Sequence, residues 1–447
     1  MIHKFSLFDK FMVLDVNSGA VHVLDEVAWE VLNYFTSCSR DKIIDILKKK
    51  YDVEDITQAY LELKTLQQKE LLFSPDYYDD MDLHHNGIIK ALCLHVAHDC
   101  NLRCKYCFAS TGSFQGRRLV MDCETGKGAI DFLISHSGNR RQLEVDFFGG
   151  EPLLNKDIIK QLVDYGNERA AQSNKDIRFT LTTNALLLDD DFLSFINDKM
   201  YNLVLSIDGT RQTNDRMRYQ ADGRGTYDLI LPKIKKAVEM REDKSFYVRG
   251  TFTRYNLNFS EDVLHLADLG FKNISVEPVV ADKNKDYAIR EEDLPTIFKE
   301  YETLAQEYVK RYKIGNPFNF FHFNIDLTQG PCVIKRVMGC GAGTEYVAVT
   351  PEGDIYPCHQ FVGIEDFCIG NVKEGIENRK TVEEFRKCNV LKKEECKKCW
   401  AKFYCSGGCH ASAYYSSNDI HSTYKIGCEM EKKRIECAMW IKASLSE

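Results

Sequence analysis

The sequence contains no run of roughly eighteen apolar residues, the length a helix needs to cross a bilayer. Its opening, MIHKFSLFDK, lacks the apolar centre of a signal peptide, so the expectation is a cytoplasmic chain with no membrane partner. Positive charge is not in excess either. Lys and Arg number 59 against 67 Asp and Glu, and the net charge of −8 argues against a nucleic-acid partner. No internal repeat or low-complexity tract is present. What remains is 447 residues, 44% hydrophobic and 28% charged, the composition of ordinary globular domains, two or three by length.

Against that background 17 cysteines stand out. In a long chain without an export signal, clustered thiols point to metal rather than to disulfides. Two patterned groups are present, Cys100 to Cys107 and Cys340 to Cys428. The scattered ones (Cys38, Cys93, Cys123, Cys332, Cys368, Cys388 and Cys437) read mostly as small buried hydrophobes.

The first eighty residues form one unit. FMVLDVNSGAVHVL is a hairpin pattern around Asn17-Ser18-Gly19. Helical periodicity follows near 26–35, 40–50 and 54–71, giving a small winged-helix-like domain over residues 1–80. The polar stretch 76–87 reads as a linker. From there to residue 315, strands alternate with amphipathic helices: Ile89–Val96, Leu143–Phe148, Ile177–Thr182, Asn202–Ile207, Phe246–Phe252 and Asn273–Pro278. Six β-α units predict a parallel α/β sheet, doubly wound or a partial barrel, with its chemistry at the carboxyl ends of the strands. From 316 to 447 periodicity fades while cysteine, glycine and charge increase, which predicts a loop-rich domain held by metal.

The first strand ends in HDCNLRCKYCFA, placing Cys100, Cys104 and Cys107 in a C-x3-C-x2-C spacing. Three thiolates on one tight loop can hold three irons of a [4Fe–4S] cube and leave the fourth open. An open iron can chelate S-adenosylmethionine (SAM), and one electron then releases a 5′-deoxyadenosyl radical. A zinc knot completed by His95 or His98 is the competing reading.

These residues, together with Phe148-Gly149-Gly150-Glu151-Pro152 one strand later, resemble the radical SAM superfamily. The resemblance implies a partial (β/α)6 barrel in which the Gly149, Gly150 and Glu151 turn grips the methionine amino group. It further implies that Asn184 in Thr182-Thr183-Asn184, Asp208 in Ser206-Ile207-Asp208-Gly209, Ser206 and Arg218 contact SAM, and that Tyr106 offers backbone to the adenine. Arg249 is as readily a structural arginine as a ligand of SAM.

In isolation CKKCWAKFYCSGGC, residues 396–409, reads as a four-cysteine zinc ribbon. With Cys340, Cys358 and Cys428 it resembles instead the SPASM domain that follows radical SAM cores acting on peptides and proteins. The resemblance implies two auxiliary [4Fe–4S] clusters, three in all. Cys396, Cys399, Cys405 and Cys428 would hold an outer one, and Cys340, Cys358 and Cys409 an inner one. The inner set is one ligand short, to be completed by Cys332 or left open for a substrate thiolate.

The whole arrangement resembles the thioether-forming maturases of SCIFF peptides, relatives of the sactionine synthases. That implies a cysteine-rich precursor peptide whose leader pairs with a strand edge of the N-terminal unit, and an electron donor such as flavodoxin or ferredoxin. A DNA-binding winged helix is disfavoured by Asp52, Glu54 and Asp55. Sulfatase-type maturases, which make formylglycine, place an aspartate directly after the second SPASM cysteine, where this chain has His359. A non-catalytic carrier of iron or zinc is the reading from another class, and the intact first cysteine motif argues against it.

Overall fold

The computed structural model describes residues 1–78, 87–327 and 337–446. Most of the 76–87 linker and Cys332 lie outside the described residues. The expected hairpin is formed by β2 (Lys10–Asp15) and β3 (Val21–Leu24), with Phe11 opposite Leu24 and Leu14 opposite Val21. A strand that the sequence reading missed, β1 (Ile2–Leu7), pairs antiparallel with the other edge of β2. Its sequence, IHKFSL, has one β-branched residue, and burial of Phe5 and Leu7 rather than propensity makes it a strand. Helices α1 (Glu26–Tyr34), α2 (Arg40–Leu47) and α3 (Val53–Gln68) follow. The first two begin where the Asp25 and Ser39 side chains accept from the N–H of Ala28 and Lys42.

Alternation along β2 splits this small sheet between two cores. Val13 packs with Val31, Ile43, Ile56 and Leu63 of its own helices. Met12 and Leu14, with Phe5 and Leu7, face the other way into the main core of the chain. The N-terminal unit is therefore docked on the rest.

The central element is a row of parallel strands in sequence order: β4 (Ala91–Ala97), β5 (Gln142–Gly149), β6 (Asp176–Thr183), β7 (Asn202–Ser206), β8 (Ser245–Phe252) and β9 (Asn273–Pro278). Helices α4 (Cys123–His136), α5 (Lys156–Gln172), α6 (Asp190–Lys199), α7 (Arg211–Met217), α8 (Tyr227–Arg241), α9 (Phe259–Asp268) and α10 (Leu294–Lys313) cover it. This is the expected partial (β/α)6 barrel.

The tail is more regular than its periodicity suggested, because its strands are only two to four residues long. β10 (Asn319–Phe320) extends the sheet beyond β9. β11 (Tyr346–Val349) adds parallel to β4, and β12 (Asp354–Tyr356), β13 (Gly370–Asn371) and β14 (Gly375–Ile376) continue antiparallel. The C-terminal helix, Lys425–Leu445, packs on α10 and reaches β1. There Glu436 meets His3 at 2.9 Å, and the Trp440 indole N–H donates to Asp9 at 3.1 Å. No helix among the described residues is long and apolar enough to cross a membrane.

Candidate active site

Alternation divides each barrel strand into residues that meet the helices and residues that face the lumen. On β5, Val145 and Phe147 pack outward while Asp146 and Phe148 face in. Thr182 of β6, Ser206 of β7, Arg249 of β8 and Glu277 of β9 face in likewise. Arg249, read from sequence as buried structure or ligand, is exposed within this space.

The loop after β4 carries the first three cysteines. Arg103 N–H bonds the Tyr219 carbonyl and Lys105 N–H the Met217 carbonyl, each at 2.8 Å, which brings Arg218 against the loop. From the other side, Gly150 N–H bonds the Ala97 carbonyl and Glu151 N–H the Asp99 carbonyl, also at 2.8 Å. A Cβ on Gly149 would strike the Ala97 carbonyl, and one on Gly150 the Asp99 carbonyl. Gly149 also has a φ of +126°, so both glycines are required for the two loops to approach.

A cavity of about 140 Å³ opens where these loops meet. Cys100, Cys104 and Cys107 stand around it, with Gly149, Gly150 and Glu151 on one side and Asn184, Ser206, Tyr106 and Arg218 on the other. Asp208 is not on its wall. That carboxylate is fully buried behind Tyr106, accepting from the phenol at 2.9 and 2.7 Å and from Thr251 N–H at 3.1 Å. Arg218 donates to the same phenol oxygen at 2.9 Å. The Glu151 carboxylate is also used structurally, taking bonds from Thr183 Oγ1 at 2.7 Å, Asn184 N–H at 2.8 Å and Leu153 N–H at 3.0 Å. It ties the end of β5 to the end of β6.

Several features of this cavity suit a cluster with a charged nucleoside ligand. Arg218 Nε is buried without a partner among the described residues. Asn101 Nδ2, which sequence reasoning overlooked, is also unpartnered, its oxygen accepting from Asn184 Nδ2 at 2.8 Å. Burial pushes the Cys100 thiol up to about 12 and Cys104 up to about 11, so iron would displace protons on binding. Among the described residues no three His, Cys, Asp or Glu side chains converge on the point a single ion would occupy. His95 and His98 do not join the cysteines. They bond one another at 3.0 Å and pack on Phe114.

The tail thiols sort into two sets. Cys396, Cys399, Cys405 and Cys428 lie within electrostatic reach of one another. Cys358 lies within reach of Cys340 and Cys409, and Cys340 of Cys409. The short segment 396–409 thus sends Cys409 away from its three neighbours. Cys396 is buried, while Cys340 and Cys409 are exposed.

The second set stands close to the cavity. His359, next to Cys358, packs against Phe148 and Phe108 of the cavity wall with ring centroids 5.2 and 5.3 Å apart. Its Nδ1 is 3.0 Å from the Tyr346 hydroxyl. Asp146 takes a long 3.4 Å bond from Thr182, itself on the cavity wall. Sequence reasoning missed Asp146 and Tyr346. Asp146 was legible in principle, as a charge among apolar residues in VDFFG at an inward register.

Residues 94–269 match the model of the Radical SAM superfamily, and residues 340–400 match SPASM, an iron–sulfur cluster-binding domain. An uncharacterized protein of Methanocaldococcus jannaschii is 29% identical over 64% of this chain and 90% of its own. A cysteine-type anaerobic sulfatase-maturating enzyme of Clostridium perfringens is 24% identical over 69% of this chain and 85% of its own. Among solved structures, anSMEcpe with bound AdoMet covers 80% of this chain and 100% of its own, with TM-score 0.64 and 20% identity. Streptococcus suis SuiB bound to its precursor peptide SuiA covers 93% of this chain and 96% of its own, with TM-score 0.54 and 17% identity. The 7% left unmatched is shorter than the N-terminal unit, so the shared fold extends into that unit. The chain carries a radical SAM domain followed by a SPASM iron–sulfur domain.

Proposed function

We propose that the chain is a peptide-modifying radical SAM enzyme that installs a cysteine thioether cross-link in a cysteine-rich, ribosomally made precursor. Cys100, Cys104 and Cys107 would hold a [4Fe–4S] cluster, with SAM between Gly149–Gly150 and Asn184, Ser206 and Arg218. Bound there, the pair supplies a 5′-deoxyadenosyl radical that removes a hydrogen atom from the peptide. Cys396, Cys399, Cys405 and Cys428 would hold a second cluster, and Cys340, Cys358 and Cys409 a third.

The observation that carries the reading is the sorting of the described tail thiols into a set of four and a set of three. On this reading Cys332 stays out of the second set, and a substrate cysteine would take the place of a fourth ligand there, positioned beside the radical site. His359 on the Phe148 wall puts that set next to the cavity. The leader would add to the open edge of β3, which pairs only with β2 among the described strands and bears exposed Val23. Flavodoxin or ferredoxin is the class of electron donor the clusters call for.

A second reading is supported by the likeness to the cysteine-type anaerobic sulfatase-maturating enzyme. On it, the peptide cysteine would be oxidised to formylglycine and no cross-link formed. The test is anaerobic incubation of the reconstituted, reduced protein with SAM and a cysteine-rich precursor peptide. A peptide two mass units lighter, with one thiol no longer alkylatable, is expected. An unchanged peptide beside 5′-deoxyadenosine from unproductive cleavage overturns the substrate assignment.

A further inference from the structure

Joining a thiol to a carbon removes two hydrogens, and the reaction proposed above leaves one of them without an acceptor. The carbon loses its hydrogen as an atom to the deoxyadenosyl radical. Sulfur loses its hydrogen as a proton. We propose that Asp146 is the group that takes this proton, accepting it from the substrate thiol before the sulfur–carbon bond forms. The inference rests on the thioether reading. The balance is then complete: C–H and S–H break, C–S forms, the proton goes to the Asp146 carboxylate, and an oxidised iron–sulfur cluster held by the tail thiols would take the remaining electron.

Position singles this carboxylate out. Asp146 lies in register between Cys93 of β4 and Thr180 of β6, on the inward face of β5. On one side Thr182, on the wall of the cavity between the cysteine loop and the Gly-Gly turn, donates to it. On the other it is within electrostatic reach of Tyr346, whose hydroxyl meets His359 beside Cys358. It therefore lies between the place where the radical would form and the thiol set that would hold the substrate sulfur.

The neighbouring ionisable groups that face the lumen are poorer acceptors. Glu277 is held by His322 at 2.7 Å and Ser275 at 2.6 Å. Despite its burial, His322 and Arg249 keep that carboxyl below the usual carboxylate range, which makes it a weak base. His359 Nδ1 is engaged by Tyr346, and an arginine such as Arg249 keeps its proton. Asp146 has only the long bond from Thr182. Burial pushes its carboxyl up to about 7, against the pull of Arg249 on β8 and Thr182 on β6 and with a further push from Glu144 on its own strand. Cys93 on β4 and Tyr346 on β11 complete its titratable surroundings. An acceptor near 7 can take the proton that a thiol, about 8.5 when free, gives up as it reaches the tail set.

The test compares wild-type holoenzyme with Asp146→Asn and Asp146→Glu, using a perdeuterated cysteine-rich precursor peptide. Asp146→Asn is expected to bind SAM and to pass deuterium to 5′-deoxyadenosine within about threefold of wild type, while cross-linked peptide falls about a hundredfold. Asp146→Glu should restore part of the loss. Wild-type product formation should rise with pH through about 7, and this rise should be absent in Asp146→Asn. Infrared difference spectra of wild type against Asp146→Asn should show a carboxyl band titrating in that same range. Asp146→Asn forming cross-link at the wild-type rate, or a band titrating with ordinary carboxylates, overturns the proposal alone. A wild type that abstracts hydrogen and forms no thioether overturns the thioether reading, and this proposal with it.

Discussion

His3 lies flat on Trp400, ring centroids 3.7 Å apart and planes within 3° of parallel. The first strand of the N-terminal unit thus touches the residue that follows Cys399. Lys402 pairs with Asp76 at 3.0 Å in the same contact, and the Tyr404 hydroxyl reaches the Gly19 carbonyl at 3.5 Å. Replacing His3 with alanine removes the stack and the bond to Glu436, a loss of about 1–2 kcal/mol at the contact. Amide exchange should speed up in β1 and around residues 398–405, with SAM binding unchanged. Unaltered exchange in both segments would show that the contact does not hold the unit in place.

Gly149→Ala puts a methyl group against the Ala97 carbonyl at a φ of +126°. The strain is on the order of 1–3 kcal/mol and falls on the junction between the cysteine loop and the Gly-Gly turn. Equilibrium titration should show SAM affinity reduced at least about tenfold, while the C-terminal iron is retained.

Iron analysis separates the two tail sets. Cys405→Ala and Cys428→Ala should each remove about four irons, and their double variant no more than that. Cys358→Ala combined with Cys405→Ala should remove about eight. Cys409→Ala should behave as Cys358→Ala does. A Cys409→Ala that duplicates Cys405→Ala would restore the four-cysteine ribbon.

Asp146 should be visible in stability as well as in rate. Its carboxyl, raised mainly by burial, titrates at about 7 in the folded chain and about 4 in the unfolded one. Between those values the folded state binds the extra proton. The group's contribution is fully present below about pH 4 and lost as pH rises through about 7. In urea melts, Asp146→Asn should gain on wild type as pH rises from about 4 to about 7. A constant difference across that range would contradict the shifted carboxyl.

The barrel was legible because each strand carries buried apolar residues at alternate positions between turns, and Leu203, Leu205 and Val248 are buried where alternation put them. β1 was not, since a strand formed by pairing and docking needs no propensity signal of its own. The 396–409 segment shows a different limit of spacing taken in isolation. Spacing along a chain shows which thiols are neighbours in sequence, and Cys409 leaves its neighbours at the exposed Gly408 for Cys340, some seventy residues earlier. Asp208 was placed too near the cavity because a motif names a position, while Tyr106 in front of it depends on the fold.

The central claim is the thioether, and the sulfur content of the modified peptide tests it most directly. High-resolution mass spectrometry of the product should show every sulfur retained, two hydrogens lost, one thiol fewer to alkylate and no carbonyl reactive toward a hydrazide. A product that has lost a sulfur and gained a hydrazide-reactive carbonyl would contradict the account and assign the chain to formylglycine formation.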